Sequence, residues 1–484
     1  MTLRRLAAFL AAVTTAALAA DPPSSDDLHR QAVARADAAD AAARPRAERD
    51  PRRPAYHFLA PARWMNDPNG PIFFGGKYHL FYQHNPYGTE WGHMHWGHAV
   101  SGDLVHWDHW PIAIAPSADR GEEHCFSGCC VNDGGTPTIV YTSIGPKTPA
   151  ADGAVQWLAT STDGMRTWRK HPANPVMTLA LHGDLQVKDW RDPFVWKDGA
   201  DWYAVLGGHR AGGRGCALIY TSKDLVTWRF LNALMEGTEK NWECPNFFKL
   251  GDKWVLIYSP HGPVRYYTGT LTKDYRFVPE HHGTLDHSGT FYAPTSMVAP
   301  DGRRLLWGWA RVKGDGWNGC LTLPRVLTLG LDGRLHIEPA AELAKLRGPR
   351  TTQSGGGDGP GSYPLPLQPA DGWEIDLTVW PAASKRFGLS LRDRGTQAVE
   401  PLAVVDLAAG TLTAGGVTAK LPPRPAADRY RLRAFLDRSI LEVYLDGTDC
   451  LTAPLPADPA RPRDVVLTAD GGHRIDYSAW PLKR

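Results

Sequence analysis

Apolar and polar positions along this chain form a unit that recurs. Five short runs of aromatic and β-branched residues, each opened by a charged or turn residue, occupy positions 77–82, 137–143, 201–207, 253–259 and 303–309, and their starts lie 50 to 64 residues apart. Between them a second piece repeats: Ser101-Gly102-Asp103-Leu104-Val105-His106-Trp107, Ser161-Thr162-Asp163-Gly164-Met165-Arg166-Thr167-Trp168, Ser222-Lys223-Asp224-Leu225-Val226-Thr227-Trp228 and a weaker Thr272-Lys273-Asp274-Tyr275-Arg276-Phe277. Each reads as a polar turn closing a hairpin, with an aromatic that plugs the next layer. Several short strands per period of this length predict a β-propeller, and five copies predict five blades over 54–347.

The pattern changes on either side of that region. Residues 354–361 are mostly glycine, which by composition predicts a linker over 348–361. Beyond it, Trp373-Glu374-Ile375-Asp376-Leu377-Thr378-Val379-Trp380 and Ser439-Ile440-Leu441-Glu442-Val443-Tyr444-Leu445 alternate with period two, so 362–484 is expected to be a β-sandwich. Glu442 reads there as a solvent-facing strand residue. The fold class is therefore all-β. At the other end, Arg4 and Arg5 precede an apolar run to Ala20 with small residues suited to cleavage, the pattern of an export signal over 1–20 and of a secreted or periplasmic protein. Residues 21–53, nearly devoid of large apolar side chains, are expected to be a leader or linker, either a solvated helix or disordered.

The repeat has consequences for chemistry. Counting back nine to eleven residues from each apolar run reaches Asp67, Ser127, Asp192, Glu243 and Tyr292. Rotation-related blades place equivalent residues around one axis, so these five are expected to line one end of a central funnel. Three of them are acids. Carboxylates distant in sequence but brought together by a repeat are what acid-assisted cleavage of a glycosidic bond requires.

Composition narrows the partners. A net charge of +2 provides no field suited to nucleic acid or an anionic membrane, and no stretch other than the export signal approaches spanning length. A neutral ligand fits better. The 19 tryptophans agree with a sugar, although most are expected in the core. Seven cysteines, an odd number, lack paired metal-ligand spacing. His93, His95 and His98 do not share one strand face and have no carboxylate nearby by spacing, so neither a metal nor a cofactor is assigned. No oligomeric state is assigned.

Taken in order, Trp64-Met65-Asn66-Asp67-Pro68-Asn69-Gly70, Phe81-Tyr82-Gln83-His84-Asn85-Pro86, Phe126-Ser127-Gly128, Arg191-Asp192-Pro193, Glu243-Cys244-Pro245 and Phe291-Tyr292-Ala293 resemble glycoside hydrolase family thirty-two, the invertase, inulinase and levanase group. Asp437-Arg438-Ser439 followed by Leu441-Glu442-Val443-Tyr444 resembles that family's appended sandwich. The resemblance implies release of fructose from β-fructofuranosides, sucrose or fructans such as inulin and levan, with retention of configuration. It implies Asp67 as nucleophile, Glu243 as general acid/base and Asp192 as a transition-state stabiliser. It also implies fructosyl contacts from Asn66, Asn69, Gln83, Trp91, Phe126 and Ser127, with Trp309 as a sugar platform. The segment after it, Ala310-Arg311-Val312-Lys313, lacks the second tryptophan often found in the family.

Proximity of three carboxylates is expected to raise the pKa of Glu243, and Arg191 is expected to keep its neighbour Asp192 charged. A sucrose-dedicated invertase and a fructosyltransferase are the alternatives within this chemistry. Outside it stand a sialidase, for which 161–168 is an imperfect aspartate box without the necessary arginine cluster, and a non-catalytic sugar-binding propeller, which has no need of a proton donor beside a nucleophile.

Overall fold

The computed structural model describes residues 23–146, 154–210, 212–367, 370–423, 427–455 and 463–483. The export signal expected at 1–20 lies outside them. All five apolar runs fall in the second strand of an antiparallel unit: Lys77–Asn85, Thr136–Ile144, Asp201–Arg210, Lys253–Ser259 and Arg304–Gly314. Each pairs with the strand before it: Arg63–Phe74, His124–Asp133, Val187–Asp198, Glu243–Leu250 and Phe291–Val298. These preceding strands touch one another in chain order and the fifth touches the first, so they are the inner strands of a closed ring.

Three units are separate four-stranded sheets, and the first and last merge into a nine-stranded sheet. The seam is Trp317–Leu321, which runs parallel to the start of Arg63–Phe74 with Arg63 opposite Trp317. We number the units blades I to V. The recurrent turns are held by their own side chains: Asp103 Oδ1 accepts the N–H groups of Val105 and His106, as Asp224 Oδ1 accepts those of Val226 and Thr227. The Trp107 and Trp228 indoles donate to the Leu104 and Leu225 carbonyls, so turn and plug are one structure.

Every inner strand is irregular at the same place. Residues 66–67, 126–127, 192–193, 244–245 and 293–294 are left out of the ladder, and each pair faces a single residue of the next strand. This is a two-against-one β-bulge, which bends the strand and re-aims its side chains. In blades III, IV and V the second bulged residue is Pro193, Pro245 or Pro294, whose missing N–H costs nothing where pairing is already broken. The residue before each, Asp192, Cys244 or Ala293, sits at positive φ of 62°, 46° or 45°.

Three expectations are corrected. Of the two alternatives for 21–53, the helix is the one found among the described residues, but it is docked and not simply solvated: Ser25–Glu48 is a helix, opened by a Ser24–Asp27 capping box, with Ala36 and Ala47 buried. Its small side chains allow close approach to blade I, and polar groups make the specific contacts. His29 Nε2 accepts from Ala115 N at 3.1 Å and Asp37 Oδ1 from Ile112 N at 2.9 Å, covering N–H groups along an edge strand.

Nor is 348–361 a linker. Thr351–Gly357 and Gly361–Pro364 are edge strands of two six-stranded sheets that form the sandwich. Glycine suffices at an edge that packs few side chains, because the ladder to His473–Leu482 supplies the order.

Finally, Glu442 does not face solvent but is fully buried where sandwich meets propeller. Its Oε1 accepts from Leu323 N at 2.7 Å and lies 3.0 Å from His57 Nε2; its Oε2 accepts from Arg325 at 2.8 Å and Tyr444 at 2.6 Å. Arg325 in turn binds Asp286 at 3.0 Å, and Asp437 accepts from the backbone and ring of His57. An apolar cluster including Tyr56, Phe291, Leu323, Phe435 and Tyr444 surrounds these charges.

Candidate active site

The five bulges converge. Asp67, Ser127, Asp192, Glu243 and Tyr292, one from each blade, line a single cavity of about 330 Å³. Trp64, Asn66, Gln83, Trp91, Phe126, Arg191 and Trp309 complete its wall, with Trp91 half exposed at the rim. All the expected site residues are therefore brought together except Asn69. Asn69 is fully buried and lies beneath the cavity with Pro68, Cys244 and Asn246, because the bulge at 66–67 turns Asn66 and Asp67 outward and leaves residue 69 back in the ladder. A larger cleft of about 1390 Å³ opens beside Arg44, Trp107 and Trp373, and it contains none of the ring.

Hydrogen bonds fix the three carboxylates in different ways. Asp67 Oδ2 accepts from Ser127 Oγ at 2.7 Å and Oδ1 from Asn66 Nδ2 at 2.9 Å; Asn66 is itself held by the Trp64 indole at 2.7 Å. Asp192 Oδ2 accepts from Cys244 N at 2.9 Å, while the Asp192 N–H donates to Thr142 Oγ1. The Cys244 thiol lies 3.5 Å from both Asp67 Oδ2 and Asp192 Oδ2, and so links the two aspartates. Glu243 Oε1 contacts Arg191 Nη2 and lies 2.8 Å from His261 Nε2, and Oε2 accepts from the Tyr292 hydroxyl at 2.6 Å.

This wiring reverses one expectation about charge, that for Glu243, and limits the other, because Arg191 favours a charged Asp192 but does not outweigh its burial. Arg191 reaches past its neighbour: Nε stays 3.8 Å from Asp192, whereas Nη2 pairs with Glu243 and Nη1 binds Asp189 at 3.0 Å. Burial raises the pKa of Glu243, but His261, Arg191 and Tyr292 together outweigh it and hold the group down at about 2. Burial pushes Asp192 up to about 7, opposed by Arg191 and assisted by Glu243. Asp67 is also raised, by burial first, against the bonds from Ser127 and Asn66. Of the three, Glu243 is the acid whose surroundings most favour the ionised form.

The chain matches the glycosyl hydrolases family 32 N-terminal domain over residues 57–339 and the family 32 C-terminal domain over 342–481. The chain belongs to glycoside hydrolase family 32. It is a β-fructofuranosidase-type enzyme. Among its relatives, the sucrose-6-phosphate hydrolase of Zymomonas mobilis is 34% identical over 81% of this chain and 83% of its own length. The levanase of Bacillus subtilis is 33% identical over 89% of this chain and 70% of its own length. Among solved structures, the family 32 β-fructofuranosidase of Bombyx mori superposes with a TM-score of 0.80 at 30% identity, covering 94% of this chain and 99% of that one.

Sequence reasoning placed Tyr292 on the funnel but gave it no partner, and it did not single out Trp64, Cys244 or His261. Trp64 and Cys244 stood inside quoted motifs, so position beside an acid was the available signal. His261 gave none: it follows Ser259-Pro260 on a loop and reaches Glu243 only through the fold. All seven cysteines are thiols.

Proposed function

We propose that this family 32 enzyme is an exo-acting, retaining β-fructosidase that releases fructose from fructans, sucrose or both. The supporting observation is the meeting of three differently wired carboxylates in one small pocket, at the lower end of the size range of ligand sites. Such a pocket receives a chain end and not a chain middle. Trp64, Trp91 and Trp309 supply the aromatic faces against which a furanose ring packs.

Asp67, oriented by Ser127 and Asn66, attacks the anomeric carbon of the fructosyl unit. A covalent ester forms as the bond to the leaving oxygen breaks. Glu243 delivers a proton to that oxygen, then takes one from the water that hydrolyses the ester. Asp192, held by Cys244 N, accepts from fructosyl hydroxyls. Positive charge developing at the anomeric carbon favours its carboxylate, so its contribution grows in the transition state. The run from Leu6 to Ala20 supports export, which places the enzyme with extracellular or periplasmic polymer.

Product analysis on sucrose, inulin and levan tests the reading. Fructose as the sole early product from each polymer is expected, with the retained anomer appearing first by NMR; oligosaccharide ladders would exclude exo action, and an inverted first product would exclude the nucleophile. A second reading, hydrolysis of sucrose 6-phosphate, is favoured by Arg311, whose exposed guanidinium lies over the Tyr292 and Trp309 rings at 4.5 and 4.8 Å. A higher kcat/KM for sucrose 6-phosphate than for sucrose would select it.

A further inference from the structure

Donors surround Glu243 on both oxygens. Arg191 and His261 meet Oε1, and Tyr292 meets Oε2. Held this way the carboxylate is stabilised as an anion, which disfavours the protonated form that a leaving group needs. One donor must release it.

Two of them are fixed. Arg191 keeps its protons under all working conditions, and its Nη1 is anchored on the Asp189 carboxylate and carbonyl. The buried Tyr292 hydroxyl gives its one proton to Glu243 and accepts from His261 N at 3.0 Å, and burial and Glu243 raise its pKa. His261 differs. Its side chain is 61% exposed, it sits at a positive φ of 60°, and its Nε2 lies 2.8 Å from Glu243 Oε1. The charged groups facing that ring are Glu243, Arg191 and Asp189, and the bond to Glu243 raises its affinity for a proton.

We propose that His261 is a positioning residue that stores the proton of the acid step and takes it back after hydrolysis. The inference rests on Glu243 being the general acid/base. At rest the pair is an imidazolium beside a carboxylate. As substrate excludes water, the proton moves from Nε2 to Oε1, because the ion pair loses its solvation. Glu243 passes it to the leaving oxygen while Asp67 bonds to the anomeric carbon. Glu243 is then a carboxylate and His261 neutral. Water attacks the fructosyl ester, its proton goes to Glu243 and on to His261, and the resting pair is restored. No proton is gained or lost except the one that water supplies to the products. Because the ring is exposed, solvent can also recharge it.

The test is the pH profile of kcat for sucrose in His261→Gln and His261→Ala. An amide keeps an N–H donor toward Glu243 but cannot hold the proton. Activity in both variants is expected to fall about 10- to 100-fold at neutral pH, and the basic limb to move toward acid by about one pH unit or more. Imidazole in the buffer should restore part of the rate to His261→Ala. The nitrophenol burst from 4-nitrophenyl β-fructofuranoside, whose departure needs no acid, should change little. A wild-type basic limb, or an equal loss at every pH without imidazole rescue, overturns the proposal. Glu243→Ala measured alongside separates the two readings: if it stays active, the catalytic assignment fails, and if it is inactive while the His261 variants keep the wild-type limb, only the role of His261 fails.

Discussion

Asp67, Asp192 and Glu243 at the funnel and Asp286, Asp437 and Glu442 at the propeller–sandwich junction are both trios of acids removed from bulk water, yet their surroundings differ. At the junction each carboxylate meets opposite charge or N–H donors: Arg325 bridges Asp286 and Glu442, and His57 bridges Glu442 and Asp437. Arg325 holds Glu442 down at about 2 against burial, with His57 helping. In the funnel Arg191 serves Glu243 first and stands 3.8 Å from Asp192, and the two aspartates otherwise rely on a thiol, a hydroxyl and amides, with raised pKa values. A satisfied cluster fixes two bodies together. A cluster whose burial leaves two acids with raised pKa values is reactive, because substrate and developing charge can complete what neutral donors do not.

Removing a carboxylate from each cluster separates these descriptions most sharply. Asp67→Ala is expected to cost at least about 10⁴-fold in kcat, the scale of losing a member of a reacting set, with Tm unchanged or slightly higher because like charges are relieved. A large fall in Tm would show the funnel charges to be structural. Glu442→Ala should do the opposite: about 3–5 kcal/mol of stability lost, measured by denaturant titration, and near-normal kcat in the folded fraction, since Arg325 and His57 each lose one of two carboxylate partners in a dry interface. Asp192→Asn comes next, expected to lower kcat by about 10²- to 10³-fold with KM little changed, because an amide still bonds the sugar but lacks charge in the transition state. A raised KM at normal kcat would reduce Asp192 to a binding group.

The smallest expected effect is that of pH on the junction. Burial lowers the pKa of His57, but the bonds to Asp437 and Glu442 outweigh it and raise the group to about 9. A raised folded value means stability fully present below the unfolded value of 6.5 and lost as pH rises through 9. For Glu442 the sign is opposite, with stability present above 4.5 and lost as pH falls toward 2. Melting temperature should therefore be highest between about 4.5 and 6.5, and the His57 share, on the order of 3 kcal/mol, should vanish by pH 10. Equal Tm at pH 6 and pH 10 would contradict the bridge.

What could be read in the sequence was what repeats. The five apolar runs, the Asp-centred turns and the funnel positions each recur, and one copy supports another. What could not be read depends on contacts made once. Glu442 alternates like an exposed strand residue, and only Arg325, His57 and Leu323, all more than a hundred positions away, make it a buried one. The helix at 25–48 looks like solvated filler until blade I supplies N–H groups for His29 and Asp37. The charge of Glu243 was misjudged because neighbouring acids were weighed without His261, a loop residue outside every motif. Asn69 fell to the bulge beside it, which no local pattern distinguishes from a regular turn.

Those bulges mean that the funnel is specified by residue count as well as residue identity. Deleting Pro193 or Pro245 would leave every reacting group in the chain, yet it would make the ladder regular, and a one-residue slip sends each side chain beyond it to the opposite face of the sheet. Carboxylates meant for the pocket would then point into the blade. Insertions and deletions should thus be tolerated in the outer hairpins and lethal at these five points, so that spacing within a blade's first strand is inherited as strictly as the acids themselves.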